Sequence, residues 1–483
     1  MKRTISIILL ASLLAAQLVG CGETSVSDET TKVSEEVTES ESTIDPASVS
    51  DLPDKKWNGR EFRVLGRDGE YEQFTNFEIF SEGETGDLVN DAVYRRNSKI
   101  EDRYDVKITQ YLSKEPQKEL EKAVNAQDDL YDLTFSELHL IGALANSGYF
   151  YDLNSVDYLD FEKSYWNKDV NNSLRIGDSL YFTSSDFSLR DKNRVYIMVQ
   201  NRDMLKDYKL DSVVDLVREG KWTGDKMNEY CKAITQDVNG DGQMGIEDNW
   251  GVGFDSYNGF SAMMYGFGNR LVNDSDGKLD IAMNNEHMIG SIEKGLKIAE
   301  DAVFCNDFAD KGLDFDYWYV FTRLFYNNQS LFVACFPHML EDFSESCSFD
   351  YGIIPLPKYD EEQEKYYTMA DVWSMLFAIP VSTPDPDFAG FMLEALSSES
   401  KDVLYNYYEL TCKVKHTYDE DSAEMLDLIF DGIVYDLGNI FKVGLDSIYD
   451  SIVRSRNNNF ASLYASKESS ARAKLDELIE KFG

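Results

Sequence analysis

Soft metal ligands are scarce in this chain. Its 483 residues include four isolated histidines, His139, His287, His338 and His416, and six cysteines without a Cys-x-x-Cys pair. That pattern excludes zinc, iron–sulfur and disulfide-framework modules. Basic residues are also few, with 47 Lys plus Arg against 88 Asp plus Glu and a formal net charge of −41. A surface of this sign repels phosphate backbones and anionic headgroups, which excludes nucleic acid as a partner. The sequence has no Gly-x-Ser-x-Gly, no His-Glu-x-x-His and no phosphate-binding loop, so the usual marks of hydrolases and nucleotide enzymes are missing. It has no internal repeat of fixed period, which excludes solenoids and propellers.

What is present supports a large folded body. Hydrophobic residues make up 43% and aromatics 13% of the chain, enough to fill about three domains' worth of core at ~150 residues each. At the start, Lys2 and Arg3 precede an apolar run from Ile5 to Ala16, shorter than the ~18 residues of a spanning helix. Residues 1–20 therefore read as an export signal. The following Leu18-Val19-Gly20-Cys21 resembles the lipobox of bacterial lipoproteins, which implies that Cys21 becomes the new N-terminus and carries acyl chains. Two chains anchor a protein stably where one does not.

Residues 21–54 read as a disordered tether. From Gly22 to Asp54 there is no aromatic side chain, and ten acidic residues face Lys32 alone, a composition that cannot build a core and repels itself. Without residues 1–20 the balance is 45 basic against 88 acidic residues, a charge of −43. Five cysteines then remain beside Cys21, namely Cys231, Cys305, Cys335, Cys347 and Cys412. An odd number cannot all pair internally, and no disulfide is assigned.

The body reads as alternating strands and helices. Glu61–Leu65 is a first strand. Val89, Ala92, Val93, Ile100 and Tyr104 recur at helical spacing behind Asp87 as a cap, and Val106–Ile108 is the next strand. A helix from Glu115 to Asn125 and a strand at Tyr131–Phe135 repeat the pattern, predicting an α/β lobe with a largely parallel sheet. Further helical stripes run through Met288 to Val303, Phe388 to Ala395 and Ala471 to Phe482. Asn273–Lys278 reads as a hairpin turn.

These segments carry a resemblance. Asn90–Asn97 with Ile100–Tyr104, Val195–Leu205 followed by Gly220–Thr223, Asp350–Pro357, and Ala378–Pro380 with Asp387–Leu396 are similar, in this order, to bacterial extracellular solute-binding proteins of family 1, the carbohydrate-type receptors of ABC importers. The resemblance implies a two-lobed α/β fold of the periplasmic-binding-protein type (type II), with mixed sheets flanked by helices and a hinge between the lobes. Lobe 1 is expected at 57–188 and 366–400, lobe 2 at 189–365 and 401–483. The chain is expected to leave lobe 1 near Asp186–Arg194, return near Tyr366–Ala378 and cross back near Ser400. The partners implied are a carbohydrate, captured outside the cell membrane by a monomer, and the permease subunits; the membrane itself is met only through the lipid anchor.

Asp237–Asp248 fits the spacing of a calcium loop, D-x-[DN]-x-[DN]-G with an acid at the twelfth place. Asp237, Asn239 and Asp241 offer side-chain oxygens, Gln243 its carbonyl and Asp248 the closing carboxylate. Asp in place of Glu at the end shortens the reach, so a weak, structural calcium ion is expected.

A sugar presents apolar ring faces and a rim of hydroxyls, so its site needs aromatic platforms beside carboxylates and amides. Candidates are Glu137 after the third strand, Asp186 at the crossover, Tyr257, and Trp318 with Tyr319 in an aromatic stretch. Phe336 and His338 follow the strand Leu331–Cys335, and Asp371 and Trp373 precede the strand entering Ile379; the resemblance places ligand contacts at both of these points. Catalysis is not expected. The alternatives are a surface-anchored polysaccharide hydrolase, which turnover would reveal, and a glycan-binding adhesin without a hinge.

Overall fold

The computed structural model describes residues 46–69, 75–275, 278–412 and 420–482. The export signal, Cys21 and the tether up to residue 45 lie outside these. In chain order the strands are β1 (Arg60–Arg67), β2 (Val106–Ser113), β3 (Leu133–Glu137), β4 (Ile197–Asn201), β5 (Trp250–Phe254), β6 (Val272–Ser275), β7 (Lys278–Ile281), β8 (Ala302–Phe304), β9 (Ser330–Cys335), β10 (Tyr351–Ile354), β11 (Thr368–Met369), β12 (Met375–Ala378) and β13 (Ile433–Val434).

The first sheet has the order β12-β3-β1-β2. β1 lies parallel to β2 and β3, and β12 runs antiparallel to β3. The helix Leu88–Tyr104 joins β1 to β2 and buries the predicted stripe of Val89, Ala92, Val93, Ile100 and Tyr104; Asp87 caps it by accepting from the Asn90 N–H. The helix Pro116–Ala126 returns the chain to β3. This is the expected β-α-β opening.

The second sheet has the order β10-β4-β9-β5-β8. β5 is parallel to β8 and β9, while β4 is antiparallel to β9 and β10. Every residue of β4, β5 and β9 is buried, as expected of strands covered by helices on both faces. β6 and β7 form the hairpin read at Asn273–Lys278. One element differs from expectation. The helix expected through Val303 ends at Ala299, and Val303 lies in β8, its burial deriving from a strand.

Two further boundaries are corrected. The segment from Ala47 to Leu52 is not tether, because Leu52 is buried in the core, Asp51 pairs with Lys163 at 2.7 Å and the Ala47 carbonyl accepts from the Ser164 N–H at 2.9 Å. The crossing expected near Ser400 falls later. The helix Lys401–Cys412 packs on Leu88–Tyr104 of lobe 1, and the helix Glu420–Asp431 packs on β10 of lobe 2. The stretch 401–483 expected on lobe 2 thus touches both.

Three crossovers join the lobes side by side. Val195 bridges Ala370, and β11 pairs in parallel with β13. Immediately after β13, Asp436 ties the lobes together. Its buried carboxylate accepts from the Leu271 N–H (2.6 Å) and the Tyr265 hydroxyl (3.1 Å) of lobe 2, and from the Gly438 N–H at 2.7 Å. That last bond caps the short helix Leu437–Ile440, which lies on lobe 1 so closely that a Cβ at Gly142 would meet the Ile440 carbonyl oxygen at 2.3 Å. Asp436→Ala strands three donors, each costing about 1–3 kcal/mol. It is expected to lower the unfolding free energy by about 3 kcal/mol in urea titration, and a change below about 0.5 kcal/mol would contradict this role.

Candidate functional site

Strand directions bring one edge of each sheet to the crossovers. In sheet 1, β1 and β3 end where β12 begins, which gathers Arg67, Glu137 and the residues just before Met375. In sheet 2, β5, β8 and β9 end where β4 begins, which gathers Asp255, Cys305 and Phe336 with Arg194 and Tyr196. In α/β folds ligands bind outside such carboxyl ends.

At the sheet 1 edge Glu137 is fully buried and paired with Arg67. Its second oxygen has no partner among the described residues. The Arg67 guanidinium lies 5.3 Å from the Trp373 ring, and the His139 ring lies 4.8 Å from it. His139 is held in turn by the Val372 carbonyl at 3.0 Å. At the sheet 2 edge Phe336 is packed between Tyr196 (4.6 Å between centroids), His338 (5.6 Å) and the Arg194 guanidinium (4.5 Å).

Arg194 and Asp371 join the two edges. Their side chains meet at 2.8 Å, both buried, and the Asp371 N–H donates to the Arg194 carbonyl at 2.8 Å. Asp371 also accepts from the Trp373 N–H at 3.0 Å. His338 bonds through Nδ1 to the Asn193 carbonyl at 3.0 Å. Burial and the neighbouring Arg194 charge push its pKa down to about 3, so its ring is neutral. The Tyr196 hydroxyl donates to Asp255 at 3.2 Å. The Asp255 carboxyl is pushed up to about 7, by burial first and then by the charge of Asp371.

The structure therefore brings Glu137 and Trp373 together, and Phe336, His338 and Asp371 together. Trp318 and Tyr319 stand near the end of β8, where Cys305 donates to the Trp318 carbonyl at 3.4 Å; they are 44% and 60% exposed, with the Trp318 ring packed against Tyr317 at 4.9 Å. Tyr257 lies at the same edge, but its hydroxyl is spent on Asp307 at 2.8 Å and its ring on Phe304. Asp186 does not join the group. It lies near Lys192 and Asp191 on lobe 1, with its carboxyl raised to about 6 by burial. Sequence reasoning missed Arg67, His139, Arg194, Tyr196 and Asp255.

Two openings flank the crossovers. A cavity of about 20 Å³, room for a water, lies between Leu138, His139, Val372 and Tyr265. A groove of about 700 Å³ opens beside β13, lined by Arg270, Tyr367, Lys365 and Asn172, and contains none of the candidates. The Asp237–Asp248 loop closes on its own backbone. Asp237 accepts from the Gly240 and Gly242 N–H groups at 2.6 and 2.8 Å, Asp241 from Gln243 at 2.7 Å, and buried Asp248 from Val238 and Gly245 at 2.9 and 2.7 Å. Among the described residues no three His, Cys, Asp or Glu side chains gather as a metal would require.

Residues 96–410 match the model of the bacterial extracellular solute-binding protein family. The chain belongs to that family. No curated protein matches the sequence. Among solved structures, a cyclo/maltodextrin-binding protein complexed with maltotetraose is similar, with 14% identity, 87% of this chain and 97% of that chain covered, and a TM-score of 0.56. UspC of M. tuberculosis gives 13%, 86% and 100%, and 0.53. The GacH receptor of Streptomyces glaucescens, solved unliganded and with acarbose, gives 13%, 88% and 100%, and 0.51. These likenesses establish the two-lobed periplasmic-binding-protein fold for this solute-binding protein.

The raised Asp255 value fixes a sign. In the folded protein its carboxyl is pushed up to about 7 from the ordinary 3.8, so the stability contributed by its proton is full below ~4 and is lost as pH rises through about 7. The ligand-free protein is expected to melt lower at pH 8 than at pH 5.5, and Asp255→Asn to reduce that difference. An unchanged pH dependence in the variant would contradict the assignment.

Proposed function

We propose that this protein is the lipid-anchored receptor of an ABC importer, which captures a carbohydrate, an oligosaccharide by preference, between its lobes and presents it to the permease subunits. The observation that carries this reading is the gathering of fixed carboxylates and guanidiniums at the carboxyl ends of both sheets, with Trp318 and Tyr319 exposed near the end of β8. Ring faces and buried, bonded polar groups are what a pyranose needs. The family assignment supports capture of a solute, and similar folds have been solved with maltotetraose and acarbose. Because Glu137 and Asp371 are each engaged by an arginine, they serve as hydrogen-bond acceptors, and the protein binds without catalysing. Cys21 carries the anchor and keeps the body at the outer face of the membrane. Among the described residues no helix is long and apolar enough to cross a membrane.

The Asp237–Asp248 loop belongs to this proposal as a weak structural calcium site. Its support is the donor spacing alone, and the side chains would have to turn from backbone N–H groups to hold an ion.

Thermal unfolding of the full chain against mono- and oligosaccharides, amino acids and polyols tests both parts. A ligand at a hundred times its Kd adds about 2.7 kcal/mol. One glycan class is expected to raise the Tm by a few degrees without being consumed, and Trp373→Ala to remove most of that rise. Silence from every glycan, or turnover of one, would overturn the receptor reading. A chelator is expected to lower the Tm, and an unmoved curve would dismiss calcium.

A further inference from the structure

We infer that the cleft selects a glycan bearing a protonated amine, and that Asp255 is the residue that selects it. This deepens the carbohydrate reading and rests on it.

Arg67 is matched by Glu137, and Arg194 by Asp371. Asp255, half-buried at the end of β5, has no such partner. Among the described residues its side chain is held by the Tyr196 hydroxyl at 3.2 Å and the Ser256 backbone, both neutral donors, and it forms no ion pair. The charged and titratable groups around it come from every neighbouring element: Arg194 and Tyr196 on the first crossover, Asp371 on the second, Cys305 after β8 and Cys335 at the end of β9. Burial raises both thiols and the Tyr196 phenol, leaving them neutral. The Arg194 charge reaches Asp255 and partly offsets its raised pKa, but the guanidinium bonds Asp371 and forms no ion pair with Asp255, and His338 is neutral.

A second carboxylate nearby and a low-dielectric wall leave the Asp255 charge short of a counter-ion. A neutral hydroxyl would give it a hydrogen bond; an ammonium group would give it a charge-assisted one, roughly twice as strong. The whole molecule favours the same ligand, since a net charge of −41 draws cations to it and repels anions.

The test is isothermal titration of the full chain with one matched pair of probes, the glucosamine tetramer against cellotetraose. At pH 7 the amine-bearing member is expected to bind about tenfold more tightly than its neutral counterpart. The ratio is expected to shrink at pH 5.5, where Asp255 takes up a proton, and to fall to about one in Asp255→Asn, whose melting curve checks that it folds. Binding of neutral glycans with no advantage for the amine, or an advantage that survives Asp255→Asn, would overturn this inference and leave the carbohydrate reading standing. Silence from both probes would overturn it too, and silence from the wider glycan panel would take the carbohydrate reading with it.

Discussion

The buried pair of Arg194 and Asp371 is the joint on which the rest of the molecule depends. Each residue lies on a different crossover, and their 2.8 Å contact is reinforced by a backbone bond of the same length. A buried ion pair is costly to desolvate but more costly to break, about 3–5 kcal/mol when one partner is removed. Its value here is positional. It holds two crossovers in register, sets the Trp373 loop through the Asp371 to Trp373 bond, and fixes the guanidinium that packs against Phe336. A hinged receptor needs such a point, because lobes can swing only about something that does not.

The same pair decides the electrostatics of the cleft. By engaging the Arg194 side chain it leaves Asp255 without an ion-pair partner among the described residues, and the Arg194 charge beside His338 helps keep that ring neutral. Polar groups inside the cleft are then of two kinds. Those with charged partners are held in place, and Asp255 is bonded by neutral donors alone among the described residues. Asp436 provides a second fixed tie beside β13.

Much of this was legible in the sequence where periodicity and caps agree. The helix after Asp87, the strands around Val64 and Phe135 and the hairpin at Asn273 follow from spacing and turn chemistry alone. Glu137, Trp373, Phe336, His338 and Asp371 were reachable because each borders a recognisable strand. Asp255 also follows a strand directly, but Trp250–Phe254 is short and glycine-rich, with no alternation to mark it. Arg194 and Tyr196 were passed over because charge pairing across 177 residues leaves no local pattern. Residues 47–52 were read as tether because composition sees Ser and Asp, whereas the fold finds one buried leucine and a lysine partner for Asp51.

The central claim is that the ligand lies between the two carboxyl edges joined by Arg194 and Asp371. A crystal structure of the protein with a bound oligosaccharide tests it most directly. Sugar rings are expected between Trp373 on one lobe and the Asp255 and Trp318 edge on the other, with an amine or hydroxyl on the Asp255 carboxylate. A ligand seated instead in the groove of Arg270, Tyr367 and Lys365 would contradict it.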